Sequence, residues 1–203
     1  MKLRFYLVIL VMLSVIIGCA NADGWVIPDN HHNNRNDNSG TSNSADYINV
    51  RLIDDLATRS GPSTTYTGCG SYRIKGQSVK AFSRSYDNGG VLWIEIEFPY
   101  GGGYRRAWTG AKRLDISAHQ LSLLPEEDSR SWIGYGTVND RISPRYGPGD
   151  LYSKYSDRDF NRNDQVLVLC YENGYYQVEC YHTDGHIFRS WIPEYCLDLN
   201  GSP

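Results

Sequence analysis

Residues 59–63 read RSGPS and residues 145–149 read RYGPG, so one chain of 203 residues spells nearly the same word twice. The residues after each word decide the fold. IKGQSVKAF, residues 74–82, comes after the first, and NRNDQVLVL, residues 161–169, after the second. In both, a turn-forming patch leads into apolar residues at alternate positions, Val79 and Ala81 and then Val166 and Val168. That period of two marks a half-buried strand. Next come VLWIEIEF (91–98) and GYYQVECY (174–181). Ile94, Ile96 and Phe98 form an inner set against Glu95 and Glu97; Tyr176, Val178 and Cys180 match them, against Gln177 and Glu179. A turn precedes each strand, Asp87-Asn88-Gly89-Gly90 and Glu172-Asn173-Gly174. Asn-Gly is a hairpin signal because both residues tolerate positive φ. After a second hairpin, Arg106 and Trp108 fall on Arg189 and Trp191, and each copy closes on a short apolar piece at Leu114 or Cys196-Leu197.

Two all-β units are therefore expected, at 47–115 and 134–200. A unit this small buries only about 60% of its unfolded surface, and barrel closure would help by removing open sheet edges. Sixteen tyrosines, five tryptophans and twenty glycines against two methionines favour strands and tight turns over helices. Between the units, 116–133 reads ISAHQLSLLPEEDSRSWI. Ala118, Leu121 and Leu124 have helical spacing and Pro125 ends it, so a short helix or strap is expected, its leucines and Trp132 packing between the two barrels.

The order of these features resembles the bacterial SH3 domain family, SH3b. LATRSGPS (56–63) is similar to that family's opening signature, and WIEIEF with RRAWTG (93–98, 105–110) to its closing one. The second copy departs from the pattern at Arg141-Ile142-Ser143-Pro144 and carries an insert at Leu151–Asn161. The resemblance implies tandem SH3-like barrels, no catalysis, and attachment to cell wall or to peptide-like envelope partners.

The start of the chain fits export. In residues 1–22, Lys2 and Arg4 precede an apolar run from Phe5 to Ile17, too short for an ordinary membrane span but suited to a secretory signal. Two processing readings compete: cleavage after Ala20-Asn21-Ala22, or a lipobox ending at Cys19, which would carry a lipid and tether a scaffold for a partner protein. Residues 23–46 have almost no apolar content after Ile27 and read as a disordered linker. A net charge of −3 argues against a nucleic-acid partner.

The candidate ligand-binding residues are aromatic: Tyr66, Tyr86, Trp93, Tyr104 and Trp108 in the first copy, and Tyr146, Tyr152, Tyr155, Tyr175 and Trp191 in the second. Rings with a polar tip suit sugars and peptides at low entropy cost, and equally suit the cover of a small barrel. No catalytic residue, metal or cofactor is expected; the alternative of a cell-wall hydrolase accessory or Cys–His thiol enzyme needs an exposed, electropositive cysteine, whereas Cys170 and Cys180 read as strand-core residues. Asp157–Asp164 begins like a calcium loop but has Arg162 where glycine is needed and Val168 where the bidentate glutamate belongs. His31-His32 and the Cys180, His182, Asp184, His186 hairpin read as ordinary polar residues rather than zinc ligands. Cys69, Cys170, Cys180 and Cys196 leave Cys170–Cys180 and Cys180–Cys196 bonds open beside buried free thiols.

Overall fold

The computed structural model describes residues 47–127, 134–181 and 185–200. In the first half lie β1 (Ile48–Leu52), β2 (Leu56–Arg59), β3 (Gly68–Tyr72), β4 (Ser78–Tyr86), β5 (Leu92–Tyr100), β6 (Gly103–Gly110) and β7 (Leu114–Asp115). In the second lie β8 (Gly134–Val138), β9 (Gln165–Glu172), β10 (Tyr175–Tyr181), β11 (Ile187–Pro193) and β12 (Leu197–Leu199). The strands make two sheets, ordered β3-β2-β6-β5-β4-β1-β7 and β11-β10-β9-β8-β12. Five consecutive positions correspond. Strands β6-β5-β4-β1-β7 have the same order and chain sense as β11-β10-β9-β8-β12, and a single 3-10 turn precedes the closing strand in each half, at Ala111–Arg113 and Glu194–Cys196. The repeated word in the sequence is thus matched by a repeated topology.

Turn chemistry fixes the registers. Asn173 (φ 51°) and Gly174 (φ 81°) fill the two-residue loop between the paired Glu172 and Tyr175. Gly101 and Gly102, also at positive φ, do the same between Tyr100 and Gly103. Two consecutive left-handed residues match the twist of the strands they join, and few residues other than Gly and Asn accept them.

Each half has its own apolar cluster. Leu52, Ile94, Ile96 and Phe98 anchor the first; Val138, Val166, Val178 and Ile192 anchor the second. The expected inner sets lie here. The opposite face of β5 and β10 does not meet water, however. Glu95, Glu97 and Gln177 are almost fully buried, because that face of each half is covered by the other. Cys69, from the first half, even belongs to the second cluster.

The segment between the halves forms α1 (Ala118–Leu123), opened by a capping box in which Ser117 and Gln120 satisfy each other's backbone N–H groups. The expectation that its leucines pack between the halves is corrected. Leu124 is buried in the first cluster and Leu121 packs against it. Arg84 holds the exit, its backbone N–H donating to the Pro125 carbonyl (3.0 Å) and its guanidinium pairing with Glu126 (2.6 Å). Trp132, the signal segment with Cys19, and the 23–46 tract lie outside the described residues. Among the described residues no helix is long and apolar enough to cross a membrane.

Candidate functional site

The two Arg-x-Gly-Pro words occupy equivalent corners. Arg59 pairs with Trp108 of β6, and Arg145 pairs with Trp191 of β11. The Arg59 guanidinium donates to the Tyr66 carbonyl (2.6 Å), and that of Arg145 to the Tyr152 carbonyl (2.8 Å). In each loop the tyrosine ring folds back over the glycine. A Cβ on Gly61 would lie 2.2 Å from the Tyr66 ring, and one on Gly147 2.1 Å from the Tyr152 ring. Glycine is needed here for close approach, not for an unusual φ. Gly61→Ala is expected to cost about 1–3 kcal/mol by overpacking, measured by urea unfolding. The cost should shrink in a Tyr66→Ala background, where the ring is gone; an equal cost in both backgrounds would exclude this contact as its cause.

Each loop then docks on the other half. The Thr67 N–H donates to the Ile187 carbonyl (2.9 Å), and the Ile187 N–H to that of Thr65 (3.1 Å). Reciprocally, the Ser153 N–H donates to the Tyr104 carbonyl (3.0 Å), and the Tyr104 N–H to that of Leu151 (3.0 Å). Each loop thereby adds a short parallel rung to the edge of the opposite β6 or β11.

Behind these rungs lie two buried ionic clusters. In one, the Tyr66 hydroxyl donates to Glu179 (3.1 Å), which also takes two hydrogen bonds from Arg189 (2.8 and 3.0 Å). Arg189 reaches Glu127 as well. In the other, the Tyr152 hydroxyl donates to Glu97, and Arg106 forks onto Glu172 (2.8 and 3.2 Å). Burial disfavours the charge on both arginines, but the surrounding groups together outweigh it, chiefly Glu95 and Glu172 for Arg106 and Glu127, Tyr66 and Glu179 for Arg189, so both pKa values are raised. Burial raises the Tyr66 and Tyr152 pKa values despite the neighbouring guanidinium groups. A cavity of about 10 Å³ sits between the halves, lined by the equivalent pairs Arg106 and Arg189, Trp108 and Trp191, and Glu95 and Gln177.

The predicted aromatic residues divide by location. Tyr66 and Tyr152 bridge the halves, and Trp108, Trp191 and Tyr146 are buried. Tyr155 is buried too, its ring stacked 3.6 Å from that of Tyr146. Trp93 and Tyr175 start β5 and β10, each tied by its polar tip to an aspartate: Trp93 Nε1–H donates to Asp87 (3.0 Å) and the Tyr175 hydroxyl to Asp150 (2.9 Å). Tyr86 and Tyr104 are exposed. Tyr104 and Tyr152 lie together, ring centroids 6.4 Å apart, but the whole set does not share one open groove.

Sequence reasoning noticed the equivalence of Arg106 and Arg189 without giving them a role. Their repetition on a face otherwise expected to meet water was the signal for an ionic interface.

The four described cysteines are free thiols. Burial pushes the Cys69 and Cys180 pKa values up to about 11. No group of three His, Cys, Asp or Glu side chains among the described residues could hold a metal. Asp159 of the calcium-like loop instead binds Ser143 and Arg141, which lower its pKa. His182 and Asp184 lie outside the described residues. The sequence matches no protein-family model, and a search of the curated proteins finds no significant relative.

Proposed function

We propose that the chain is an exported, non-catalytic binding protein whose halves are two SH3b-like barrels, and that it binds cell-wall peptidoglycan or an envelope peptide. The observation that carries the reading is the doubled strand order, each copy with an Arg-x-Gly-Pro loop closed against the tryptophan strand. Surface chemistry supports a sugar- or peptide-like ligand. Seven of the eleven exposed large apolar side chains among the described residues are tyrosines, with Tyr181 and Tyr195 the most open. Such rings offer a flat apolar face and a hydrogen-bonding edge. Binding rather than catalysis is favoured by the buried Cys69 and half-buried Cys180 thiols, whose raised pKa values keep little thiolate at neutral pH.

Co-sedimentation with purified peptidoglycan tests the reading. Saturable binding, weakened by alanine at the exposed tyrosines, is expected. Failure to bind sacculi, soluble wall fragments and envelope proteins alike would overturn it.

A further inference from the structure

Arg105 differs from most of the other enclosed arginines. Arg84, Arg106, Arg113, Arg145 and Arg189 each pair with a carboxylate. Among the described residues Arg105 has no such partner. Its guanidinium carbon lies 3.7 Å from the Tyr100 ring centroid and 4.0 Å from that of Tyr146, so aromatic rings from both halves hold it. Nη1 donates to the Tyr72 hydroxyl (2.5 Å), which in turn donates to the Cys69 carbonyl (2.5 Å). Nη2 makes no hydrogen bond to the described residues, and Nε is buried without a partner among them.

The repeat shows that the fold itself does not need this charge. Arg105 pairs with Phe98 as Phe188 pairs with Cys180, so the second half has an apolar ring at the equivalent place. A guanidinium is weakly hydrated, stacks on aromatic rings and presents its remaining N–H donors in a planar fork. With its faces covered, Nη1 on Tyr72 and Nε enclosed, the N–H donors of Nη2 are left for a ligand. The exposed Tyr100 ring stands beside it at the β5–β6 turn, while the Tyr104 ring lies on the other face of β6 against Tyr152. A carboxylate meets these donors in charge-assisted hydrogen bonds, the strong class.

We infer that Arg105, clamped by Tyr100 and Tyr146, is a carboxylate-binding site of the first half. It deepens the proposed wall- or peptide-binding reading and rests on it for the choice of ligand. The carboxylate belongs either to the free end of a peptide or to an acidic sugar.

The test tracks the Arg105 Nε–H resonance of the full-length protein by NMR during titration. The probes are N-acetyl-D-alanyl-D-alanine, its C-terminal amide, glucuronate and glucose. One acidic probe should move the resonance saturably and its neutral counterpart should not. Response to the dipeptide names a peptide end as the source, and response to glucuronate an acidic sugar. Arg105→Gln should weaken binding of the responding probe at least about tenfold, and Arg105→Lys should restore only part, lacking the planar group that the Tyr100 and Tyr146 rings hold. The inference fails if charged and neutral probes bind alike, if no probe moves the resonance, or if Arg105→Gln binds as well as the parent. Wall binding without a response at Arg105 would sink this site alone. A response without wall binding would keep the site and remove the wall reading.

Discussion

Replacing Arg189 by methionine is expected to destabilise the protein by about 3–5 kcal/mol, the usual cost of removing one member of a buried ion pair. The side chains of Arg189, Glu179 and Glu127 are all largely buried, with exposures of 6%, 17% and 13%. Methionine fills much of the arginine's volume, so the loss is electrostatic. It takes the guanidinium away from the Glu179 and Glu127 carboxylates and from the Tyr66 hydroxyl. The equivalent Arg106→Met should cost a similar amount, because it strips the guanidinium from buried Glu95 even though the other two acids are relieved. Glu172 is 40% exposed and can turn to solvent, and Glu97 keeps Lys80 at 3.0 Å. Urea unfolding of both variants measures the two costs. Removing the stranded acids as well, in Arg189→Met with Glu179→Leu and Glu127→Leu, should recover most of the stability, since an apolar replacement of a whole buried cluster is often neutral. An Arg189→Met cost below about 1 kcal/mol, as at an exposed pair, would show that the cluster does not hold the halves together.

The features legible in the sequence were those with short-range causes. Alternation of Val79 and Ala81 and of Val166 and Val168 placed β4 and β9, and Asn173-Gly174 placed the hairpin from β9 to β10. Ser117 and Pro125 bracketed α1. What alternation could not reveal is what covers the second face of a strand. Glu95 and Glu97 read as solvent-facing because they are acidic and alternate with isoleucine. They are buried because a second copy of the same surface, carrying its own arginine, lies over them. Long-range pairing of two charged faces leaves no local period. The same blindness applied to Cys69, whose place among the second-half residues depends on the docking of a loop.

The docking also bears on where a ligand can sit. Tyr66 and Tyr152 belong to the candidate ligand-binding set, yet their hydroxyls are already bonded to carboxylates, Glu179 of the second half and Glu97 of the first. A ligand that used these rings would have to displace an intramolecular strand rung. One that used Tyr100 and Arg105 would not, which is why the first-half turn is the better place to look.

Raising the pH should unfold the protein abruptly on the alkaline side. Burial lifts the pKa of Tyr146, and lifts that of fully enclosed Tyr155 well above the ordinary value of 10.0. Below pH 10 both the native and the unfolded chain keep these protons, so their stabilising contribution is complete. Above it the unfolded chain sheds protons that the native fold retains, and stability falls with each further rise. The loss is about 1.4 kcal/mol per pH unit for each such tyrosine. Tyr146 and Tyr155 together therefore remove about 3 kcal/mol per unit, a large share of a typical domain's stability of about 5–15 kcal/mol. Tyr66 and Tyr152, also raised by burial, steepen the decline. Tyrosinate absorbance and circular dichroism recorded in one titration measure it: part of the absorbance rise should coincide with loss of strand signal. Tyr155→Phe, which keeps the ring, should flatten the stability slope by about 1.4 kcal/mol per unit. If all tyrosines ionise smoothly near pH 10 while the fold persists, the stacked Tyr146 and Tyr155 rings are not enclosed between the halves.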